Sequence, residues 1–201
     1  MRRHGPKGLA LISLSALSIA AFGAALAGCG NPAVDARIEA LGEEDPNVPE
    51  GPYHRPGQPC TLCHSVYGGE GPEITVGGTI FATPAKEPGK LPTAVEGAEV
   101  KLVDAEGEVK TVKTNCAGNF YLTKDEWNPS FPLQVEVRYP APNAPDQKKP
   151  APPMSSRISR DGSCAGCHFG LPNQGSPGYV FCEEDPDVPF PVPKCVGGGE
   201  P

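Results

Sequence analysis

Two short segments of the chain carry the residues best suited to chemistry. Residues 60–64 read CTLCH and residues 164–168 read CAGCH, so the pattern C-x-x-C-H occurs twice. In a helical turn, two cysteines three residues apart lie on one face, where both can form thioethers to the vinyl groups of one haem. The histidine that follows then lies under the iron as its proximal ligand. We therefore predict two covalently bound haem c groups, held by Cys60, Cys63 and His64 and by Cys164, Cys167 and His168.

The four cysteines of these motifs have two other interpretations. Together they could ligate one zinc ion as four thiolates, and either pair alone could act as a redox-active dithiol. A zinc site would not explain a histidine directly after both pairs. A thioredoxin-like dithiol belongs in a βαβ setting, and the sequence has no such pattern. Haem attachment is therefore the prediction that explains both motifs in full.

The N-terminus has the pattern of an exported protein. Three basic residues precede an uncharged apolar run from Leu9 to Ala27, which is typical of a signal peptide. The end of that run, Leu-Ala-Gly before Cys29, resembles the lipobox of bacterial lipoproteins. The resemblance implies cleavage after residue 28 and a lipid on Cys29, and an uncleaved membrane anchor is the alternative. Gly30, in place of an aspartate, resembles the pattern of lipoproteins that leave the inner membrane. We expect a cell-envelope protein that is lipid-anchored, at the outer membrane.

The net charge of the chain limits the classes of partner that it can bind. Residues 1–28 contain three of the 17 basic residues and no acidic residue, which leaves 14 basic against 24 acidic residues and a net charge near −10. Nucleic-acid binding needs a basic surface, so it is excluded. An acidic surface suits positively charged partners, and we expect other redox proteins of the envelope.

Each haem iron has two axial positions, so the two haems also require distal ligands. In the chain after residue 28, His54 and Met154 are the histidine and the methionine that the motifs leave over. His54 lies six residues before Cys60, and Met154 lies ten residues before Cys164. We predict that both ligate iron, and the sequence leaves open which haem each serves. The alternatives are an exposed loop histidine and a stray methionine in a connector. Because methionine ligation raises the potential relative to bis-histidine ligation, the two haems would differ in potential.

The remaining cysteines are Cys116, Cys182 and Cys195, an odd number for an exported chain. We predict a Cys182–Cys195 disulfide that closes the tail, and pairing of Cys116 with either tail cysteine is the alternative. The chain contains 25 glycines and 26 prolines in 201 residues, which approaches the content of disordered chains. Covalent links such as disulfides or attached cofactors can stabilise a chain of this composition.

The sequence between the two motifs has the period of β-strands. Alternating apolar and polar residues, with turn residues between the runs, indicate five or more short strands and a mainly β fold, a small antiparallel β-sandwich. Irregular haem-binding segments flank it. Gly77 and Gly78 interrupt the first run and predict a β-bulge. Phe120, Trp127 and Phe131 are predicted core or rim residues. The predicted runs are 74–81, 99–102, 109–114, 120–123 and 133–137.

Segments within this region resemble a known domain family. The stretches GTIF, EGAEVKLVDAEG, KTNCAGNFYL and FPLQVEVR are similar to the carboxypeptidase regulatory-like, prealbumin-type domain over about residues 74–139. The resemblance implies a scaffold or adhesion module without catalytic residues. The predicted organisation is a signal peptide (1–28), a linker with a short helix (29–53), a first haem segment (54–73), the sandwich (74–139), a Pro-rich linker (140–153) and a second haem segment with an irregular tail (154–201).

As a whole, the chain resembles small dihaem c-type lipoproteins in which a β-sandwich separates two C-x-x-C-H motifs. The resemblance implies electron transfer in the bacterial cell envelope by an electron carrier, not an enzyme. The alternatives are a haem-based redox or gas sensor, a peroxidase-like enzyme with one open iron, and an envelope adhesion or structural module that the haems only stabilise.

Overall fold

The computed structural model describes residues 31–44, 46, 48, 51–68, 71–87, 90–170, 172 and 175–196. The predicted signal peptide and the predicted lipid attachment at Cys29 lie outside the described residues. Within these ranges, no helix has both the length and the apolar character needed to cross a bilayer.

The described chain is mainly β, as predicted, and forms two four-stranded sheets. In the first sheet, β1 (Ile74–Phe81) pairs antiparallel with β4 (Asn119–Thr123) and parallel with two short strands, β7 (Gly162–Ser163) and β8 (Val180–Phe181). The second sheet is antiparallel in the order β3-β2-β5-β6, from β2 (Glu99–Val103), β3 (Val109–Lys113), β5 (Gln134–Ala141) and β6 (Ala144–Pro150). Among the described residues, two helices precede β1, namely α1 (Pro32–Ala40) and the single turn α2 (Cys60–Cys63).

The alternating sequence explains how the two sheets form one core. In β2, Val100 and Leu102 are fully buried, whereas Lys101 between them is exposed, because successive strand residues face opposite sides. Phe120 of β4 and Trp127 join the same buried cluster, and Phe131 packs at its edge, which confirms their prediction as core or rim residues. Buried side chains of both sheets therefore share one apolar core, as expected for a small β-sandwich.

Two predicted features of the sandwich are wrong. The pairing of β1 with β4 is irregular between Ile74 and Val76, so the bulge lies there and not at Gly77 and Gly78. The segment 140–153, predicted as a Pro-rich linker, ends β5 and contains all of β6. Pro145 and Pro150 are tolerated in β6 because it is an edge strand, where a residue without an N–H donor need not break a ladder bond.

The predicted Cys182–Cys195 disulfide is also wrong, and the alternative with Cys116 is the one found. Cys116 and Cys195 form a disulfide across 79 residues of sequence. Cys182 follows β8, and its backbone N–H donates to the carbonyl of Phe81 at 2.9 Å. This anchoring buries Cys182 in the core at 1% exposure, so its thiol is not available to the tail. The tail contains β8 but is otherwise largely irregular, as predicted.

Candidate haem-binding centre

Both C-x-x-C-H motifs adopt a tight helical turn. The first is α2, which begins after Pro59, and the N–H of His64 donates to the carbonyl of Cys60 at 3.0 Å. The second begins as a 3-10 turn at Cys164–Gly166, and the N–H of His168 donates to the carbonyl of Cys164 at 2.8 Å. In each motif, the histidine therefore follows directly on a turn whose first and last residues are the two cysteines. This is the local conformation that the spacing predicts.

The fold brings the two motifs together although they lie about a hundred residues apart in sequence. A side chain at Gly77 would come within 3.1 Å of the sulfur of Cys60, and one at Gly78 within 2.8 Å of the sulfur of Cys164. Neighbouring Cα atoms in a chain are only about 3.8 Å apart, so the first cysteines of the two motifs pack against adjacent residues of β1. The two glycines serve close approach, which is the other common reason for glycine inside a strand.

A direct hydrogen bond joins the two motif segments. The hydroxyl of Thr61, inside the first motif, donates to Oδ1 of Asp161 at 2.8 Å. The same carboxylate oxygen accepts the N–H of Ser163 at 2.9 Å, and Ser163 directly precedes Cys164. Strand β7 then pairs parallel with β1 through Gly162 and Ser163. Asp161 therefore links the first motif to the backbone that begins the second.

The first cysteine of each motif is held in an apolar environment. Burial raises the pKa of Cys60 to about 11 and that of Cys164 to about 12, so both thiols are neutral at neutral pH. Redox exchange uses the free thiolate, which this environment disfavours, whereas a bound zinc ion would itself deprotonate the thiol. A thioether carries no charge, so it suits the same positions.

The ring nitrogens of His168 are arranged as in a typical metal ligand. Its Nδ1 lies 3.0 Å from the carbonyl oxygen of Gly178 and donates to it, which leaves Nε2 with its lone pair. A ligating histidine usually gives its other N–H to a carbonyl or carboxylate in this way. In the first motif, Nδ1 of His64 is buried without a hydrogen-bond partner in the described structure, and a side chain at Gly71 would crowd the same ring. Among the described residues, His64 therefore lacks the hydrogen bond through Nδ1 that orients His168.

The two predicted distal ligands are placed differently. The ring of His54 lies beside that of His64, with centroids 5.7 Å apart and planes tilted by 52°. Nδ1 of His54 hydrogen-bonds to the carbonyl of Gly51, so Nε2 is again the nitrogen with the available lone pair. Met154, in contrast, lies in irregular chain between β6 and β7 with 37% of its surface exposed. The structure thus brings His54 to the first motif and leaves the ligand role of Met154 a prediction.

Exposed apolar side chains follow both motifs. Val66 and Tyr67, just after the first motif, are 68% and 65% exposed, and Phe169, just after the second, is 41% exposed. Single exposed apolar side chains are common at protein surfaces, and these three lie next to the proposed attachment points in sequence. A porphyrin is broad and largely apolar, so the residues around both motifs fit a haem.

A shared zinc ion and a haem require different sets of protein ligands. Across the described ranges, no group of three or more His, Cys, Asp or Glu side chains converges as the ligands of one ion. A structural zinc site needs four such ligands, whereas haem iron takes only one or two from the protein.

No protein-family model matches the chain, and searches of curated proteins and of solved structures find no match either. The likenesses to the prealbumin-type domain and to dihaem lipoproteins therefore stay predictions from the sequence, and the functional argument depends on the site.

Sequence reasoning missed several residues of this centre. Asp161 and Thr61 connect the motifs, and the buried pair Thr79 and Asn119 holds the backbone around His54. Only Gly77 and Gly78 gave a sequence signal, because paired glycines inside an apolar strand indicate either a bulge or a close approach. The polar residues look ordinary in sequence, and only the fold reveals what they contact.

Proposed function

We propose that the chain is a membrane-anchored dihaem c-type cytochrome that transfers electrons in the bacterial cell envelope. The observation that carries the proposal is the convergence of two C-x-x-C-H turns on Gly77 and Gly78 of a single strand. A haem at each turn supplies a one-electron iron(III)/iron(II) couple. Two such groups anchored against adjacent residues of one strand suit the passage of an electron from one to the other.

The protein's own residues hold and orient the two groups. Cys60 and Cys63 would attach one haem and Cys164 and Cys167 the other, with Nε2 of His64 and of His168 directed to the irons. The carbonyl of Gly178 accepts the N–H of His168 and so fixes its tautomer and ring orientation. The sandwich is a rigid support, which keeps the spacing of the two anchors constant during electron transfer.

The proposed location and partners follow from the sequence. Lipid on Cys29 would attach the chain to a membrane of the envelope, with the outer membrane favoured, and the net charge near −10 suits redox proteins with a positive surface. A carrier of this kind needs no catalytic residue, and we propose none.

The test is electron exchange with a soluble partner. We expect the reduced protein to reduce a small basic c-type cytochrome, at a rate that falls about tenfold or more when salt screens the opposite charges. The measurement is stopped-flow spectroscopy over a range of ionic strengths. A protein that carries two haems but exchanges no electrons would support a structural or adhesion module whose haems only stabilise the fold.

A second candidate is a haem-based sensor or peroxidase-like enzyme with one open iron. The observation that favours it is the 37% exposure of Met154, which is not among the residues that form or pack against the core cluster. Carbon monoxide binding to the reduced wild-type protein separates the two candidates, because an electron carrier with two occupied axial positions on each iron does not bind it.

A further inference from the structure

We infer that His54 is the distal ligand of the same haem that His64 binds. We also infer that buried Thr79 and Asn119 are positioning residues that hold residues 54–57, the His54 loop, in place. This inference rests on the proposed function and deepens it. The sequence leaves the partner iron of His54 open, and a ligand six residues before its own haem motif looks too close to reach that iron. The contacts around the loop indicate otherwise.

The first observation is the pairing of the two rings. The ring centroids of His54 and His64 are 5.7 Å apart, so the two rings are direct neighbours among the described residues. Nδ1 of His54 bonds to the carbonyl of Gly51, whereas Nδ1 of His64 is buried without a hydrogen-bond partner among the described residues, so neither Nδ1 is accessible to a ligand from outside. The nitrogen left for a metal is Nε2 in each case. Two histidines with this arrangement suit the two axial positions of one iron.

The second observation is the hydrogen-bond network that joins the His54 loop to the sandwich. Thr79 of β1 and Asn119 of β4 are register partners across the sheet, and both are buried, at 5% and 8% exposure. The hydroxyl of Thr79 donates to Oδ1 of Asn119 at 2.7 Å. That hydroxyl also accepts the N–H of Gly57 at 2.7 Å, and Nδ2 of Asn119 donates to the carbonyl of His54 at 3.0 Å. Each polar atom of the pair is therefore used, and two of the bonds hold the loop on both sides of Arg55.

Arg55 ties the same loop to the chain that precedes it. Its backbone has a positive φ of 50°, a conformation that is uncommon outside glycine and persists only where surrounding contacts enforce it. Its guanidinium donates to Glu44, to Gln58 and to the carbonyl of Gly42 at 2.9–3.0 Å. The loop is thus fixed from the sandwich by Thr79 and Asn119 and from outside by Arg55, which is the preorganisation that a distal ligand needs.

The experiment compares Thr79→Val with Thr79→Ser in the haem-loaded full chain. Valine keeps the volume of threonine but removes the hydroxyl, so Gly57 and Asn119 lose a buried partner, whereas serine restores it. We expect exogenous imidazole to bind the ferric protein about tenfold more tightly in Thr79→Val than in wild type, since the lost bonds release His54 from the iron. Thr79→Ser should bind imidazole as wild type does. His54→Ala removes the proposed distal ligand itself. This variant should leave that axial position of the same haem without a protein ligand and give a high-spin signal in the electron paramagnetic resonance spectrum.

A second set of variants identifies the haem. With Cys164→Ser and Cys167→Ser, the remaining haem should be low-spin and should become high-spin when His54→Ala is added. With Cys60→Ser and Cys63→Ser, the spin state of the remaining haem should not change when His54→Ala is added. The inference is overturned if His54→Ala leaves a low-spin first haem, if it acts on the second haem, or if Thr79→Val and Thr79→Ser bind imidazole equally. A wild-type protein without covalent haem would instead defeat the proposed function itself, and a haem stain distinguishes that outcome.

Discussion

Replacing Gly78 by alanine should displace the second C-x-x-C-H motif and lower the free energy of unfolding by about 1–3 kcal/mol. The added methyl group would lie 2.6 Å from Cβ and 2.8 Å from Sγ of Cys164. These distances are far below van der Waals contact, and the Cβ atom cannot rotate away as the end of a long side chain would. The turn of the second motif must therefore move off β1, which also changes its spacing from the first motif.

A matched control is available in the same motif. A methyl group at Gly166 would meet its nearest neighbours at 3.7 Å and 3.8 Å, so Gly166→Ala should change the free energy of unfolding by no more than about 0.5 kcal/mol. The measurement is denaturant unfolding of the haem-loaded protein, followed by circular dichroism and by the absorbance of the haems. Equal stability of the two variants would mean that Cys164 does not pack against Gly78.

Removing the Cys116–Cys195 disulfide should have the second large effect. The bond closes a segment of 79 residues that includes β5 to β8 and the entire second motif. Because a cross-link over such a span restricts the unfolded chain strongly, its loss typically costs about 2–5 kcal/mol. We expect Cys116→Ser with Cys195→Ser to unfold at lower denaturant concentration and to be cut first in the tail by a protease.

Peptide mapping of the non-reduced protein checks the pairing itself. The structure predicts a peptide that links Cys116 to Cys195, with Cys182 as an unmodified thiol. Burial raises the pKa of Cys182 far above its ordinary value, so this thiol should react with an alkylating reagent only after unfolding. A peptide that links Cys182 to Cys195, or equal stability of the double serine variant and the wild type, would contradict this account.

The sequence patterns that predicted structure well were local ones. The alternation in residues 99–103 and 133–137 predicts strands because one face of each sheet is buried, and the spacing of the motifs predicts two helical turns. The alternation of apolar and polar residues indicates which face of a strand is buried. It does not indicate which other strand pairs with it. Strands β7 and β8 have two residues each, too short for any period, yet they bring the second motif to β1.

The errors in the prediction have a common cause. Gly77 and Gly78 fit a bulge as well as a close approach, the prolines of 140–153 fit a linker as well as an edge strand, and three cysteines allow three disulfides. In each case, tertiary contacts choose between local interpretations that are equally good. The convergence of two distant C-x-x-C-H motifs is a property of the same kind, so the turn at each motif could be predicted from sequence but the association of the two turns could not.

Covalent haem content is the measurement that tests the central claim most directly. The protein should be produced in a bacterial host that attaches haem c, and its intact mass should be determined together with a pyridine haemochrome spectrum. The account predicts two haems per chain, one in Cys60→Ser with Cys63→Ser, and one in Cys164→Ser with Cys167→Ser. A wild-type chain without covalent haem, or with its motif cysteines bound to zinc, would contradict it.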